Sequence, residues 1–154
     1  MNITEDDSYT GPHQFEMDGW ISCAPFEKLL HITIHSASDG NAVLSIPFLR
    51  DFAQGSGLMH GGALVGLADT AIVMAIKSLI PPDTHFATIS ANTEFLYPVK
   101  KGVVTAKAVV KDQNDRLLTG ESLVFDQDNN MVLKLSAVFK IAKDAKIRGV
   151  TINK

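Results

Sequence analysis

Leu58-Met59-His60-Gly61-Gly62-Ala63-Leu64-Val65-Gly66-Leu67-Ala68-Asp69-Thr70-Ala71-Ile72-Val73-Met74-Ala75-Ile76 is almost wholly apolar, and one carboxylate stands near its centre. The run continues to Leu79 and is ended by Pro81-Pro82-Asp83, so a helix from about Gly61 to Leu79 is predicted. A helix apolar nearly all round must be enclosed rather than laid on a surface. Gly61 to Ile80 is long enough to span a bilayer, which takes ~20 residues. Asp69 at its centre costs about 2.5–3.5 kcal/mol on insertion, Lys77 lies near its end, and no second such run exists. A buried core helix is the expectation. An unpaired charge buried there costs on the order of several kcal/mol, so a chain that keeps Asp69 is expected to use it.

What encloses the helix is legible on either side. Ala24 to Leu30 reads as a short helix with Pro25 in its first turn. His31–His35 alternates as a strand, Asp39-Gly40-Asn41 is a turn, and Ala42–Pro47 follows as the second strand of a hairpin. Arg50 to Met59 is irregular. After the helix come four strands: Phe86–Leu96, Val103–Val110, Leu117–Phe125 and Met131–Ile141, the second and third joined by an expected turn at Asp112–Asp115. In the first of these, Thr88, Ser90, Asn92 and Glu94 fall on one face and Ala87, Ile89, Ala91, Thr93 and Phe95 on the other. In the last, Met131, Leu133, Leu135, Ala137, Phe139 and Ile141 share a face. The expected fold class is α+β: two strands, the long helix, then a four-stranded antiparallel meander, the sheet curled about the helix. The expected organisation is an N-terminal arm over 1–23, one domain over 24–142 and a charged tail over 143–154.

Composition narrows the function classes. The 154 residues suit one domain. A net charge of −3 without a basic block argues against a nucleic-acid partner. Cys23 is the only cysteine, so no disulfide closes within the chain and a reducing cytoplasm is the expected location. Met1 to Ser8 show no basic and apolar regions of a signal peptide. His31 and His35 would lie ~13 Å apart on a strand, too far to share a metal ion, and are expected to face solvent. Cys23 is expected to be a packing residue.

The chemistry gathers at the helix entry. The first N–H groups of a helix lack internal partners and carry the positive end of its dipole. Gly61 and Gly62 stand there with no side chain, so a ligand oxygen can come close, as in an oxyanion hole. His60 precedes them. Asp69 follows about 12 Å along the axis at ~1.5 Å per residue, and Gly66, one turn before it, is expected to leave room beside the carboxylate. His-Gly-Gly also occurs in lipase loops, but no Gly-x-Ser-x-Gly elbow is present. Gly55-x-Gly57 is too short for a dinucleotide fingerprint.

Gln54-Gly55-Ser56-Gly57-Leu58-Met59-His60-Gly61-Gly62 with Asp69-Thr70-Ala71 resembles the core motif of the hotdog-fold acyl-CoA thioesterases. The subgroup it is similar to is the phenylacetate-degradation and human acyl-CoA thioesterase-13-like one. Ala87 to Val99 resembles the strand after the helix in that family. The resemblance spans 24–141 and implies a hotdog fold. It implies that Asp69 activates or replaces the attacking water and that the Gly61 N–H polarises the thioester carbonyl. Gln54 stands where an Asn amide often binds the same carbonyl, and His60 lies beside the reaction centre. Thr88 places the water, reaching in from across a dimer interface. Gly62 and Gly66 are expected to border the substrate, and Lys100 and Arg116 to meet CoA phosphates. The resemblance further implies an acyl-CoA substrate, no metal or other cofactor, no membrane partner, and a homodimer or dimer of dimers, since the family builds each site from two subunits. Alternatives are a hotdog enoyl-CoA hydratase or dehydratase, and a non-catalytic acyl-CoA or acyl-carrier binder.

Overall fold

A computed structural model describes residues 11–143, 146–147 and 150–151. Pro25–Leu29 form the short helix α1, started by Pro25 after the extended Ala24. Strands β1 (Thr33–Ser38) and β2 (Asn41–Pro47) form the expected hairpin. A single 3-10 turn, Arg50–Phe52, lies in the irregular segment. Helix α2 runs Gly61–Lys77 and is followed by β3 (Phe86–Phe95), β4 (Val103–Asn114), β5 (Leu117–Phe125) and β6 (Met131–Ile141). Two short strands, β7 (Lys146–Ile147) and β8 (Val150–Thr151), pair within the expected tail.

The six main strands make one antiparallel sheet in the order β1-β2-β4-β5-β6-β3. This corrects the expected four-stranded meander. Only β4, β5 and β6 are a meander, while β3 crosses to the far edge beyond β6 and leaves β4 to pair with β2. Alternation within a strand reports its faces, not its neighbours, so this crossing is invisible in the sequence.

The sheet curls about α2, as a hotdog fold does. From Ala63 to Ser78 no helix position is exposed, and Leu67, Ala68, Ala71, Ile72 and Ala75 are fully enclosed against β2, β4, β5 and β6. Small residues bring helix and sheet close. The helix is shorter than expected because Ser78 turns its hydroxyl back to Ala75 O (2.6 Å) and receives the Gly40 N–H (2.9 Å). No helix among the described residues is long and apolar enough to cross a membrane.

Bulges shift several faces from strict alternation. The register slips between Thr88 and Ser90, so Ile89 is an extra residue and Thr88 lies on the opposite face from Ser90. Thr88 pairs with the buried Phe139 and faces the helix, which corrects its expected grouping with Ser90, Asn92 and Glu94. A slip opposite Val124–Phe125 likewise buries Val132 and leaves Met131 at the surface. Another, between Val110 and Asp112, lets β4 run on to Asn114, and the hairpin turns at Asp115-Arg116 with Asp115 at φ 54°.

The expected arm lies outside the described residues as far as Thr10. From Gly11 to Ala24 it has no helix or strand, yet it is tied down at Trp20. The Trp20 indole N–H donates to Lys77 O (2.9 Å), the Lys77 ammonium donates to Trp20 O (3.0 Å), and Lys77 Nζ lies 4.7 Å from the ring centroid.

The tightest helix–sheet approach is at Gly120 in β5, where a Cβ would overlap Ile72 Cγ2 and stand 3.4 Å from Val109 O. Gly120→Ala is expected to cost about 1–3 kcal/mol by overpacking. With Ile72→Ala in the same chain, the two losses should sum to less than their separate values, since one removes the atom the other strikes. Urea denaturation of both single variants and the double variant tests this. Strict additivity would show that the helix does not touch the sheet there.

Candidate active site

The motif residues fall into two groups at opposite ends of β3. At the entry of α2, His60 is the N-cap, and its Nδ1 accepts the Gly62 N–H at 2.8 Å. A neutral ring that accepts at Nδ1 carries its proton on Nε2. This uses the Gly62 N–H, which is therefore not free for a substrate as expected. The Gly61 N–H has no partner among the described residues. The Phe95 ring covers Gly61 so closely that a Cβ there would stand 2.8 Å from Phe95 Cε1. Gln54 shares the adjoining cavity of about 340 Å³ with Gly61, Leu64, Phe95 and Tyr97. Its Oε1 accepts from the Ser56 N–H, so its amide N–H groups remain as donors beside that of Gly61.

At the other end stands Asp69, half-buried on α2. Thr88 Oγ1 donates to Asp69 Oδ1 at 2.9 Å. The bulge at Ile89 turns Thr88 to this face, so Thr88 reaches Asp69 within one chain rather than across an interface, which corrects the implied arrangement. Burial pushes the Asp69 carboxyl above the ordinary aspartate value, and the Thr88 hydrogen bond opposes the rise. The room expected at Gly66 is taken by α1: a Cβ there would meet Leu30 Cδ1 at 3.0 Å and Phe26 Cε1 at 3.4 Å. Gly66 is a packing position under α1.

Beside Thr88 lies a cavity of about 380 Å³ with Val73, Phe86, Phe139, Trp20, Lys77 and His85 in its walls. Burial lowers the Lys77 pKa, with Glu27 acting weakly against it. His85 Nε2 is buried with no hydrogen-bond partner among the described residues. Neither Lys77 nor His85 was singled out from the sequence. The readable signal was the helical spacing Asp69, Val73, Lys77, four residues apart on one stripe.

The two basic residues expected at CoA phosphates are far apart within one chain. Lys100 precedes β4 and shares a hollow of about 160 Å³ with Lys101, Asp126 and Asp128. Arg116 follows β4 and donates to Ile141 O at 3.1 Å. The twelve residues of β4 separate them by ~35 Å of extended chain. His31 and His35 are exposed, as expected, and His35 Nε2 lies 2.7 Å from Ser45 Oγ. The Cys23 thiol lies 3.5 Å from Ile32 O, and burial pushes its pKa up. Among the described residues no three His, Cys, Asp or Glu side chains gather as a metal site.

With this geometry in hand, comparison with known proteins is informative. A sequence model of the thioesterase superfamily matches residues 56–133. A protein of Halobacterium salinarum provisionally named an esterase is 33% identical over 89 residues, or 54% of this chain, and the chain spans 59% of that protein's length. A conserved Pseudomonas aeruginosa protein of solved structure is 27% identical with a TM-score of 0.74, covering 78% of this chain and 95% of its own. The PaaI protein of the Escherichia coli phenylacetic acid degradation operon is 25% identical with a TM-score of 0.71, covering 77% and 85%.

The raised pKa of Asp69 has a signed consequence for stability. A carboxyl whose folded pKa is raised favours the folded state below its unfolded pKa, and that contribution is lost as pH rises through the folded value. Asp69→Asn is therefore expected to raise the denaturation midpoint relative to the parent at pH 7. The gap should close as pH falls toward the ordinary aspartate range. Thr88→Val removes the opposing hydrogen bond, so its own stability should go on falling to a higher pH than the parent's does. Denaturation of the three proteins between pH 4 and 8 tests this. An Asp69→Asn protein less stable than its parent at pH 7 would show that the carboxylate is structurally favourable.

Proposed function

The chain belongs to the thioesterase superfamily, and on that premise we propose that it hydrolyses the thioester of an acyl- or aryl-CoA at a site shared between two subunits. The observation that carries this reading is the separation of the two groups described above. Gly61 and Asp69 stand eight residues apart on one straight helix, about 12 Å at ~1.5 Å per residue. One carbonyl cannot contact both within a single chain. The free edge of β3 supplies the remedy. It is ten residues long, unpaired on its outer side among the described residues, and exposed, with Ile89 and Phe95 more than half accessible. Paired antiparallel with its two-fold copy, β3 would set the Thr88 end of one subunit beside the Phe95 end of the other. Asp69 of one chain would then face Gly61 and Gln54 of the partner subunit. The same pairing carries Lys100 of the partner subunit toward the end of the sheet that holds Arg116, where the two charges can serve one CoA.

The chemistry follows from the groups assembled. The thioester oxygen accepts from the Gly61 N–H and the Gln54 amide, which stabilise the negative charge that develops on it. Asp69 takes a proton from water as water attacks the carbonyl carbon, or attacks that carbon itself through a carboxylate oxygen. Desolvation raises the basicity of Asp69, and Thr88 fixes its orientation. The tetrahedral intermediate collapses, the C–S bond breaks, and CoA leaves as the thiolate and gains a proton. When water attacks, the acyl group departs as a carboxylic acid; when Asp69 attacks, it forms a mixed anhydride that a water then hydrolyses to the acid and free Asp69. His60 acts through the helix entry: by capping Gly62 it holds Gly61 with its N–H free. That use of the ring weighs against the hydratase reading, in which His60 would itself move protons on the acyl chain.

Two measurements test the reading. Light scattering at micromolar concentration is expected to give a dimer or a dimer of dimers and not a 16.7 kDa monomer. Asp69→Asn and Gly61→Val are each expected to lower thioester turnover by about 10²–10³ or more. Mixed and reassociated, the two inactive proteins should recover activity. Half the dimers are then mixed, and each has one site with both groups intact, so about a quarter of the parental rate is expected. Recovery fails if the site lies within one chain.

A further inference from the structure

The cavity beside Thr88 has both hydrocarbon and polar walls. Val73, Phe86 and Phe139 are hydrocarbon walls, whereas Lys77 and His85 bring nitrogen donors. Asp69, Val73 and Lys77 follow one stripe of α2, and the chain from Thr88 back to Thr84 lines the same cavity. The cavity therefore adjoins Thr88, which holds Asp69, and takes in Lys77, two helical turns from Asp69 or about 12 Å at ~1.5 Å per residue.

Lys77 and His85 have hydrogen-bonding capacity that is not used among the described residues. Lys77 has three N–H donors and gives one to Trp20 O. Among the described residues no carboxylate lies within 4.0 Å of its ammonium. His85 Nε2 is buried without a partner in the same cavity. A clamp for Trp20 would need one Lys77 N–H and would leave His85 unexplained. A half-buried cation and an unsatisfied ring nitrogen in the walls of one cavity both bear a desolvation cost that an anionic oxygen ligand offsets.

We propose, resting on the thioesterase reading above, that this cavity holds the acyl chain and selects acyl groups ending in a carboxylate, which Lys77 and His85 bind. One carboxylate oxygen accepts from the Lys77 ammonium and the other from His85 Nε2–H. Two helical turns of separation, about 12 Å at ~1.5 Å per residue, suit a short acyl chain such as one of four to six carbons. The substrates are mono-CoA thioesters of short dicarboxylic acids.

The test measures free-thiol release by the full chain from matched CoA thioesters of four to six carbons, with and without the terminal carboxylate. The parent is expected to show a kcat/KM at least about tenfold higher for the carboxylate-bearing member of a pair. Lys77→Met should bring that ratio to one or below, and Lys77→Arg should keep most of it. Ratios within one preparation are insensitive to the amount folded. If Lys77→Met does not fold, because Lys77 also anchors Trp20, the parental ratio still decides. Efficient hydrolysis of both members at equal rates, or a preference for the plain chain, overturns the selectivity while leaving the hydrolase reading intact. A preference that survives in Lys77→Met removes Lys77 from its role and overturns the proposal. No turnover of any thioester, plain or carboxylated, overturns the thioesterase reading and the proposal with it.

Discussion

Everything in this protein depends on enclosing one apolar helix. With no exposed position between Ala63 and Ser78, α2 cannot rest on a flat sheet; the sheet must curl until its strands close around it. The close approach is made by small residues, Ala68, Ala71 and Ala75 on the helix and Gly120, Ala106 and Ala137 on the strands. Two functional features follow from this packing. The helix entry opens at the rim of the sheet, where the Gly61 N–H has no partner among the described residues. Asp69 is drawn into a half-buried place, where its charge is costly and its basicity raised.

A second constraint works on a finer scale. Strand pairing alternates faces strictly, so without a bulge Thr88 would share a face with Ser90, Asn92 and Glu94. The extra residue at Ile89 inverts that order within one step. Thr88 then shares the inner face of β3 with Phe86 before the bulge and with Ala91, Thr93 and Phe95 after it. The strand thereby presents the partner of Asp69 at one end and the cover of Gly61 at the other, while its outer edge stays open. An unpaired ten-residue edge is a liability in a monomer and an invitation to a second copy.

The same logic orders the polar groups that hydrolysis alone does not use. Lys77 sits in the last turn of α2, where the helix dipole favours a cation. It ties the N-terminal segment down through Trp20 and stands at the far end of the cavity that begins at Thr88. Asp69 and Lys77 thus belong to a single helical stripe, with Val73 of the cavity wall between them.

Much was legible before any coordinates. The enclosed helix, its limits to within about two residues, six strands and the odd position of Asp69 follow from periodicity and from the cost of a buried charge, which are local properties of the chain. The motif from Gln54 to Ala71 carried the family resemblance in the same way. What tertiary structure alone decided is non-local. The pairing of β3 with β6 rather than β4 joins segments some forty to fifty residues apart in the chain, and alternation is blind to partner choice. The bulge that turns Thr88 to Asp69 depends on register against β6. Leu30 and Phe26 fill the space at Gly66, and the Gly62 N–H is used by His60, because atoms brought in by folding reach those places first. Lys77 and His85 meet only when helix and strand pack, since a cavity is a property of surfaces that the linear chain does not yet possess.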